Sequence, residues 1–261
     1  MTEQVSRIIA DAAEYWNDFA EDYSRDARIS TDDFHYGPLL PGDSSLKLLP
    51  GDVSGLRCLE LGCGGAQNSV YLARKGAECF ALDVASEQIS IARKLCTLKK
   101  VNVELKTVPM EQAETAFEGN FDLIHSTYGL CFSPMPEKVI MAVAKLLKPG
   151  GIFIFSLPHP LSAGEPLELD EDYGVFIANG YNPPPDCRGD EDDNEVVRSY
   201  YHTLSDISSW LDEAGMVIRR IVEPRLADPS SSAPFQCEQW EEYRALFEHI
   251  PGTLIIKAVR F

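Results

Sequence analysis

The sequence predicts an α/β protein built on a doubly wound sheet. Three observations predict it. First, residues 56–67 read as a short apolar strand running into Gly62-Cys63-Gly64-Gly65, with a helix over 68–75 directly behind. Glycines packed this densely mean that backbone must come close to something, or that φ > 0 is needed. Second, residues 77–83 form another buried strand that closes on Asp83. That acid lies about 20 residues past the glycines, the spacing of a carboxylate that binds ribose hydroxyls. Third, strand and helix patterns keep alternating as far as Phe155, and the final two strands lack a crossover helix. The last strand is therefore expected to run antiparallel.

A chain of 261 residues with 44% hydrophobic content can bury one sizeable core, so one domain with an insertion is expected. No stretch is long and apolar enough to span a membrane, and Met1-Thr2-Glu3-Gln4 does not read as a signal peptide. The 7 cysteines are irregularly spaced, and Cys58, Cys79 and Cys131 sit in apolar runs. They read as buried free thiols in a reducing cytoplasm, not as a disulfide framework or a zinc site. The formal net charge of -18 disfavours phosphate backbones as partners. Arg93-Lys94 with Lys99-Lys100, and Arg219-Arg220, read as solvated faces.

Taken in order, Val5-Ile8-Ile9 and Ala12-Tyr15-Trp16-Phe19 recur at helical spacing and predict an amphipathic helix. Trp16 and Phe19 are assigned to packing on the sheet edge; Tyr23, where the chain turns, to a ligand contact. His35 and Tyr36 sit in a loop dense in Gly and Pro; His35 lines a pocket or is simply hydrogen-bonded. Ser86 is the expected N-cap of a helix over 87–98. Residues 101–108 alternate as a third strand, ended by Pro109-Met110-Glu111. A fourth covers 121–128. A helix over 136–148 turns through Pro149-Gly150-Gly151 into a fifth strand, 152–155. His159 stands between two prolines just beyond that strand, where ligands of doubly wound sheets sit; this suits a base, and also a plain turn. Residues 161–198 break the alternation with three consecutive prolines and the acidic run 190–195, read as a solvated loop. A helix over 206–214 ended by Gly215, a strand over 216–224, a helix over 239–247 and a strand over 253–259 complete the chain.

Glu60 ahead of Gly62-Cys63-Gly64-Gly65 is not the G-x-G-x-x-G of a dinucleotide fold. It resembles motif I of class I S-adenosylmethionine (SAM) methyltransferases. Asp83 in register, and Leu146-Leu147-Lys148-Pro149-Gly150-Gly151 before a strand, are similar to two further marks of that family, over about residues 50 to 160. Tyr15-Trp16 with Ala20 and Tyr23 resembles a lead-in of many small-molecule methyltransferases, and His35-Tyr36-Gly37-Pro38 and Tyr201-His202 with Leu204-Ser205 resemble a ubiquinone-methyltransferase-like bacterial group within the family. The resemblance implies a Rossmann-like seven-stranded sheet with helices on both faces and an antiparallel last strand. It also implies an N-terminal cover over 1–45, a SAM-binding core over 46–160, a substrate lid inserted after strand five over 161–200, and a return to the core over 201–261.

The cofactor implied is S-adenosyl-L-methionine. Its site would take Tyr23 from the cover, Glu60, Gly62, Cys63, Gly64 and Gln67 at the glycine turn, and Asp83, Val84 and Gln88 beyond the second strand. Asp83 would bind the ribose diol and Val84 would pack on adenine, although Asp83 could cap the helix instead. The family often places an Asp after the third strand; Met110 and Glu111 stand there here. Ser126 and Tyr128 leave the fourth strand without the [D/N]-P-P-[Y/F] of amide methyltransferases, which disfavours that chemistry. Tyr128 faces the transfer site or packs in its loop. His159 and His202 are the two candidate bases, suited by pKa if the acceptor is a hydroxyl. Tyr173, Phe176 and Tyr181 could line the lid. The expected function is methyl transfer from SAM to a small-molecule acceptor, by a monomer or homodimer without nucleic-acid or membrane partners. An NAD(P)-dependent oxidoreductase, a non-catalytic SAM-binding regulator and a carrier-protein or peptide methyltransferase are the alternatives.

Overall fold

The buried runs of the sequence become one seven-stranded sheet. Its strands are β1 (Arg57–Leu61), β2 (Glu78–Asp83), β3 (Val103–Thr107), β4 (Phe121–Thr127), β5 (Leu147–Pro158), β6 (Met216–Val222) and β7 (Thr253–Arg260). A computed structural model describes residues 2–162, 167–170, 174–177, 181, 186–189, 195–228 and 233–261. The order across the sheet is β6-β7-β5-β4-β1-β2-β3. Ladders among β1 to β5 are parallel, whereas β7 pairs antiparallel with both β5 and β6. The reversed strand is therefore β7, the antiparallel last strand that was expected.

Six helices of seven residues or more surround the sheet: α1 (Glu3–Asp18), α2 (Ala20–Asp26), α3 (Gln67–Arg74), α4 (Ser86–Lys99), α5 (Pro136–Leu146) and α6 (Leu204–Glu213). On one face Val139, Ile140 and Val143 of α5 and Ile207 and Leu211 of α6 pack on Phe121, Phe153 and Phe155. On the other, Val70 of α3 and Ile89 and Ala92 of α4 pack on Cys58, Cys79 and Ala81 together with the loop residues Phe34, Tyr36 and Leu48. Each fully buried side chain of this kind contributes about 1.5–3 kcal/mol. No helix among the described residues is long and apolar enough to cross a membrane.

Several boundaries depart from expectation. Helix α5 stops at Leu146, and Leu147, already in β5, pairs with Phe121 of β4. Pro149 disfavours a helical residue ahead of it, so the chain leaves the helix early. The register then shifts between Phe121 and Leu123, and Gly150 takes φ 78°. Ser86 is not the N-cap of α4; Ala85 occupies that position and offers no side chain. Asn17 of α1 takes over the role. Its Oδ1 accepts from the Glu87 N–H at 2.9 Å and the Ser86 hydroxyl at 3.2 Å. Helix α6 starts two residues earlier than expected because Thr203 caps it. The Thr203 Oγ1 accepts from Asp206 N and the Asp206 carboxylate accepts from Thr203 N, a reciprocal capping box. The predicted helix over 239–247 is two short turns, Glu238–Glu241 and Arg244–Phe247.

In the insertion, Leu167–Asp170 pairs with Gly174–Ile177, and Asp186–Gly189 with Glu195–Ser199. Residues 195–199 lie against α1, so cover and insertion meet over the carboxyl ends of the strands.

Candidate functional site

At the end of β1 the chain folds into a tight turn with Gly62 at φ 64° and Gly64 at φ 50°. A Cβ on Gly62 would stand 3.2 Å from both the Gly129 Cα and the Met110 methyl. Cys63 N donates to Leu82 O at 2.9 Å, tying the turn to β2. Asp83, 8% exposed, closes β2 beside it. Its Oδ2 accepts from Gly64 N at 2.8 Å and its Oδ1 from Ala85 N at 2.9 Å. Burial pushes this carboxyl up, against the pull of its backbone donors. A carboxylate has about four acceptor sites. The backbone amides leave part of this capacity unused, and the group still borders a cavity.

That cavity, of about 640 Å³, opens over the carboxyl ends of β1, β2 and β4. Asp83, Val84, Gln88, Met110 and Glu111 line it beside Gly62 and Gly64. Glu111 accepts from the Ser133 hydroxyl at 2.5 Å. Trp16, Phe19 and Tyr23 form the roof, with Trp16 edge-on to Phe132 at 5.1 Å. Tyr128 stands where the cavity continues past the glycine turn. Its φ is 57°, a left-handed conformation that a bulky residue holds only when its surroundings impose it. Three contacts do so. Tyr128 N donates to Ser156 O at 3.0 Å, its hydroxyl meets Thr253 Oγ1 at 2.6 Å, and its ring lies on Gly37. A Cβ on Gly37 would stand 2.6 Å from that ring. Beyond Tyr128 the wall belongs to Phe235, Trp240 and Tyr243.

Residues 59–155 match the family model described as a methyltransferase domain. A ubiquinone biosynthesis O-methyltransferase of Bordetella avium is 37% identical over 108 residues, which are 41% of this chain and 45% of that protein. The protein of that name from Erwinia tasmaniensis is 35% identical over 168 residues, 64% of each. The chain thus spans less than half the length of the first of these relatives. A solved S-adenosylmethionine-dependent methyltransferase from Mesorhizobium loti superposes with a TM-score of 0.65 at 21% identity, covering 82% of this chain and 95% of its own. Another, from Clostridium acetobutylicum, gives 0.55 at 16%, covering 95% and 92%. Those two likenesses bear on the fold alone. Residues 59–155 are thus similar to a methyltransferase domain, on a fold shared with solved S-adenosylmethionine-dependent methyltransferases.

The cofactor of such a domain is S-adenosyl-L-methionine, and the residues present fit it. A Cβ on Gly64 would meet only the Gln88 Oε1, at 3.6 Å, so the turn leaves room for a ligand against its backbone. Asp83 offers free acceptor sites to a diol. Tyr23, Gly62, Gly64, Asp83, Val84, Gln88, Met110 and Glu111 all border the one cavity, as does Tyr128.

Other expected residues of the methyltransferase domain lie elsewhere. Glu60 is beneath the turn, where its Oε2 accepts from Ser69 N at 3.0 Å and from Ser69 Oγ at 2.5 Å. Its Oε1 stands 3.9 Å from His125 Nδ1. Desolvation pushes the Glu60 carboxyl up to about 8 and the His125 imidazole down to about 3. Both are thus neutral near pH 7, and the contact is not an ion pair. Ser126 Oγ donates to Leu61 O at 2.9 Å, holding β4 to β1 under the turn. Cys63 is buried off the wall, and the Gln67 side chain folds back over Gly65. These four shape the turn from behind.

Neither candidate base lines the cavity. His159 Nδ1 accepts from Leu161 N at 3.1 Å, so Nε2 carries the proton that it donates to Glu223 Oε1 at 2.9 Å. Both nitrogens are used in clamping the end of β5 to the segment after β6. The pKa of His159 is lowered, by burial first, against the Glu223 bond. His202 packs edge-on to Trp210 at 4.8 Å, outside the wall. His35 is buried behind Phe235, with its N–H on Asn68 Oδ1 at 2.9 Å. Of the expected lid residues, Phe176 and Tyr181 are 54% and 42% exposed and do not line the cavity. Tyr173 and residues 190–194 lie outside the described residues. Trp16 and Phe19, assigned to packing, do line it. Sequence reasoning also missed Trp240 and Tyr243, for which the aromatic density of 239–247 was the available signal.

Proposed function

We propose that this chain transfers a methyl group from S-adenosylmethionine to a small-molecule acceptor. The observation that carries the reading is the buried Asp83 carboxylate, held by the Gly64 and Ala85 amides and open to a cavity that runs on past Tyr128. Asp83 would hold the ribose hydroxyls, each oxygen accepting one O–H. Val84 and Met110 would pack on the base, and Gly62 and Gly64 would admit the amino-acid end. Bound there, S-adenosylmethionine supplies a methyl group activated by its sulfonium. The chain's own share is to orient the acceptor and exclude water, and effective molarity is the main source of rate in such an arrangement. Tyr128 is the proposed orienting residue. Its phenol is pushed up by burial, so it acts as a hydrogen-bonding group and not as a base at neutral pH. No histidine of the described residues lines the cavity, which favours positioning over proton abstraction.

The relatives' names speak of O-methylation, which makes a hydroxyl the first acceptor group to test. We read 1–45 as a cover and 161–200 as a substrate lid, since α1 and residues 195–199 meet above the cavity. A monomer or homodimer in the cytoplasm, without nucleic-acid partners, is part of the same proposal. The charge of -18 and the free, buried state of the described cysteines support it. The test is calorimetric titration with S-adenosylmethionine and S-adenosylhomocysteine. Wild type should bind both, and Asp83→Ala should lose about a hundredfold in affinity, two charge-assisted bonds being removed. Binding of NAD(P)H in place of either ligand would overturn the reading.

A further inference from the structure

We propose that the acceptor half of the cavity selects by charge, admitting flat aromatic molecules that are neutral or cationic and turning away anionic ones, with Glu242 setting the sign. The inference rests on the methyltransferase reading and specifies its substrate class. Past the glycine turn the wall is aromatic: Tyr128, Phe235, Trp240 and Tyr243. Trp240 stands edge-on to Tyr128 at 5.9 Å and 87°, and tilted to Tyr243 at 6.0 Å and 51°. Such faces take planar rings by stacking and cations through the ring quadrupole.

The charge inventory points the same way. Charged residues among the described lining are Asp83, Glu111 and Glu242, all acidic; no Lys, Arg or His joins them. Asp83 and Glu111 belong to the cofactor half, and Glu111 is engaged by Ser133. Glu242 is left to the acceptor half, on the exposed turn that also carries Trp240 and Tyr243. The neighbouring guanidinium, Arg244, is committed elsewhere. It binds Glu241 at 2.6 and 2.9 Å and Ala227 O at 3.1 Å. In sequence, residues 163–196 add Arg188 as their lone basic residue among many acids. A carboxylate or phosphate entering this space would lose water and find no counter-charge among the described lining residues. A neutral ring loses little, and an ammonium meets both the aromatic faces and Glu242.

Three probes share one ring and differ in charge: 4-ethylphenol, tyramine and 4-hydroxyphenylacetate. Each is titrated calorimetrically into protein saturated with S-adenosylhomocysteine, at low and high salt. Tyramine and 4-ethylphenol should bind at least about tenfold more tightly than 4-hydroxyphenylacetate, with the gap narrowing in salt. Glu242→Gln should remove the advantage of tyramine over 4-ethylphenol, and Glu242→Lys should favour 4-hydroxyphenylacetate. Trp240→Ala should weaken all three, tyramine most. Equal or tighter binding of the anion to wild type, an unchanged order in both Glu242 variants, or binding of none of the probes to the saturated protein would overturn the inference. If S-adenosylhomocysteine itself fails to bind, the methyltransferase reading falls, and this one with it.

Discussion

Tyr128 is the residue where strain and site coincide. A φ of 57° costs a non-glycine residue about 1–2 kcal/mol, and the Ser156, Thr253 and Gly37 contacts hold it there. Its hydroxyl is the part that an acceptor could share. Tyr128→Phe keeps the ring on Gly37 and removes only that group. We expect kcat/KM to fall about tenfold with the affinity for S-adenosylhomocysteine unchanged. The unpaired Thr253 hydroxyl should lower stability by about 1 kcal/mol in urea unfolding. An equal loss of cofactor affinity would place Tyr128 in the cofactor half instead. Asp83 and the glycines were legible in the sequence because their roles are local: a strand end, a tight turn and a spacing. Glu60 and Ser126 were misread for the complementary reason. Their positions along the strand were right, but strand polarity turns their side chains under the loop and away from the cavity.

At the scale of elements, one side chain of the N-terminal helix completes a helix of the core. Asn17 of α1 caps α4, whose own N-cap is an alanine. A lost N-cap costs about 1 kcal/mol. Asn17→Ala should therefore lower the urea midpoint by that amount, and Asn17→Asp should restore it, since the oxygen stays and a negative charge suits a helix N-terminus. An unchanged midpoint in Asn17→Ala would mean that water replaces the cap. No one-dimensional pattern reveals this arrangement, because cap and helix are some 70 residues apart. The insertion is the same case in larger form. The sequence marks where the alternation breaks, whereas the pairing of residues 195–199 beside α1 depends on surfaces made by both.

For the whole molecule, buried titratable groups set the response to pH. Burial pushes His35 and His125 from 6.5 down to about 3, and Glu60 from 4.5 up to about 8. A histidine kept neutral in the fold adds stability above pH 6.5 that is lost as pH falls from 6.5 towards 3. Glu60, kept protonated, adds stability below pH 4.5 that is lost as pH rises from 4.5 through 8. Burial also lowers His159 and His202 and raises Asp83, so between 4.5 and 6.5 the histidines outweigh the two carboxyls. Tm should therefore climb to about pH 6.5 and then decline towards 8. Glu60→Gln retains an acceptor for Ser69 and should flatten the decline. A Tm that keeps rising from 6.5 to 8 in wild type would show that Glu60 ionises in the fold.

By itself the sequence determined the doubly wound class, the glycine turn, the spaced acid and the reversed last strand. Each is written in contiguous residues whose periodicity and backbone needs are local. Only the tertiary structure decided which side chains share the cavity. It brought Trp16 and Phe19 in from the cover and Trp240 and Tyr243 from near the end of the chain, and left His159 and His202 outside. Those placements depend on how separate layers pack, and packing is a property of surfaces that no single stretch of chain contains.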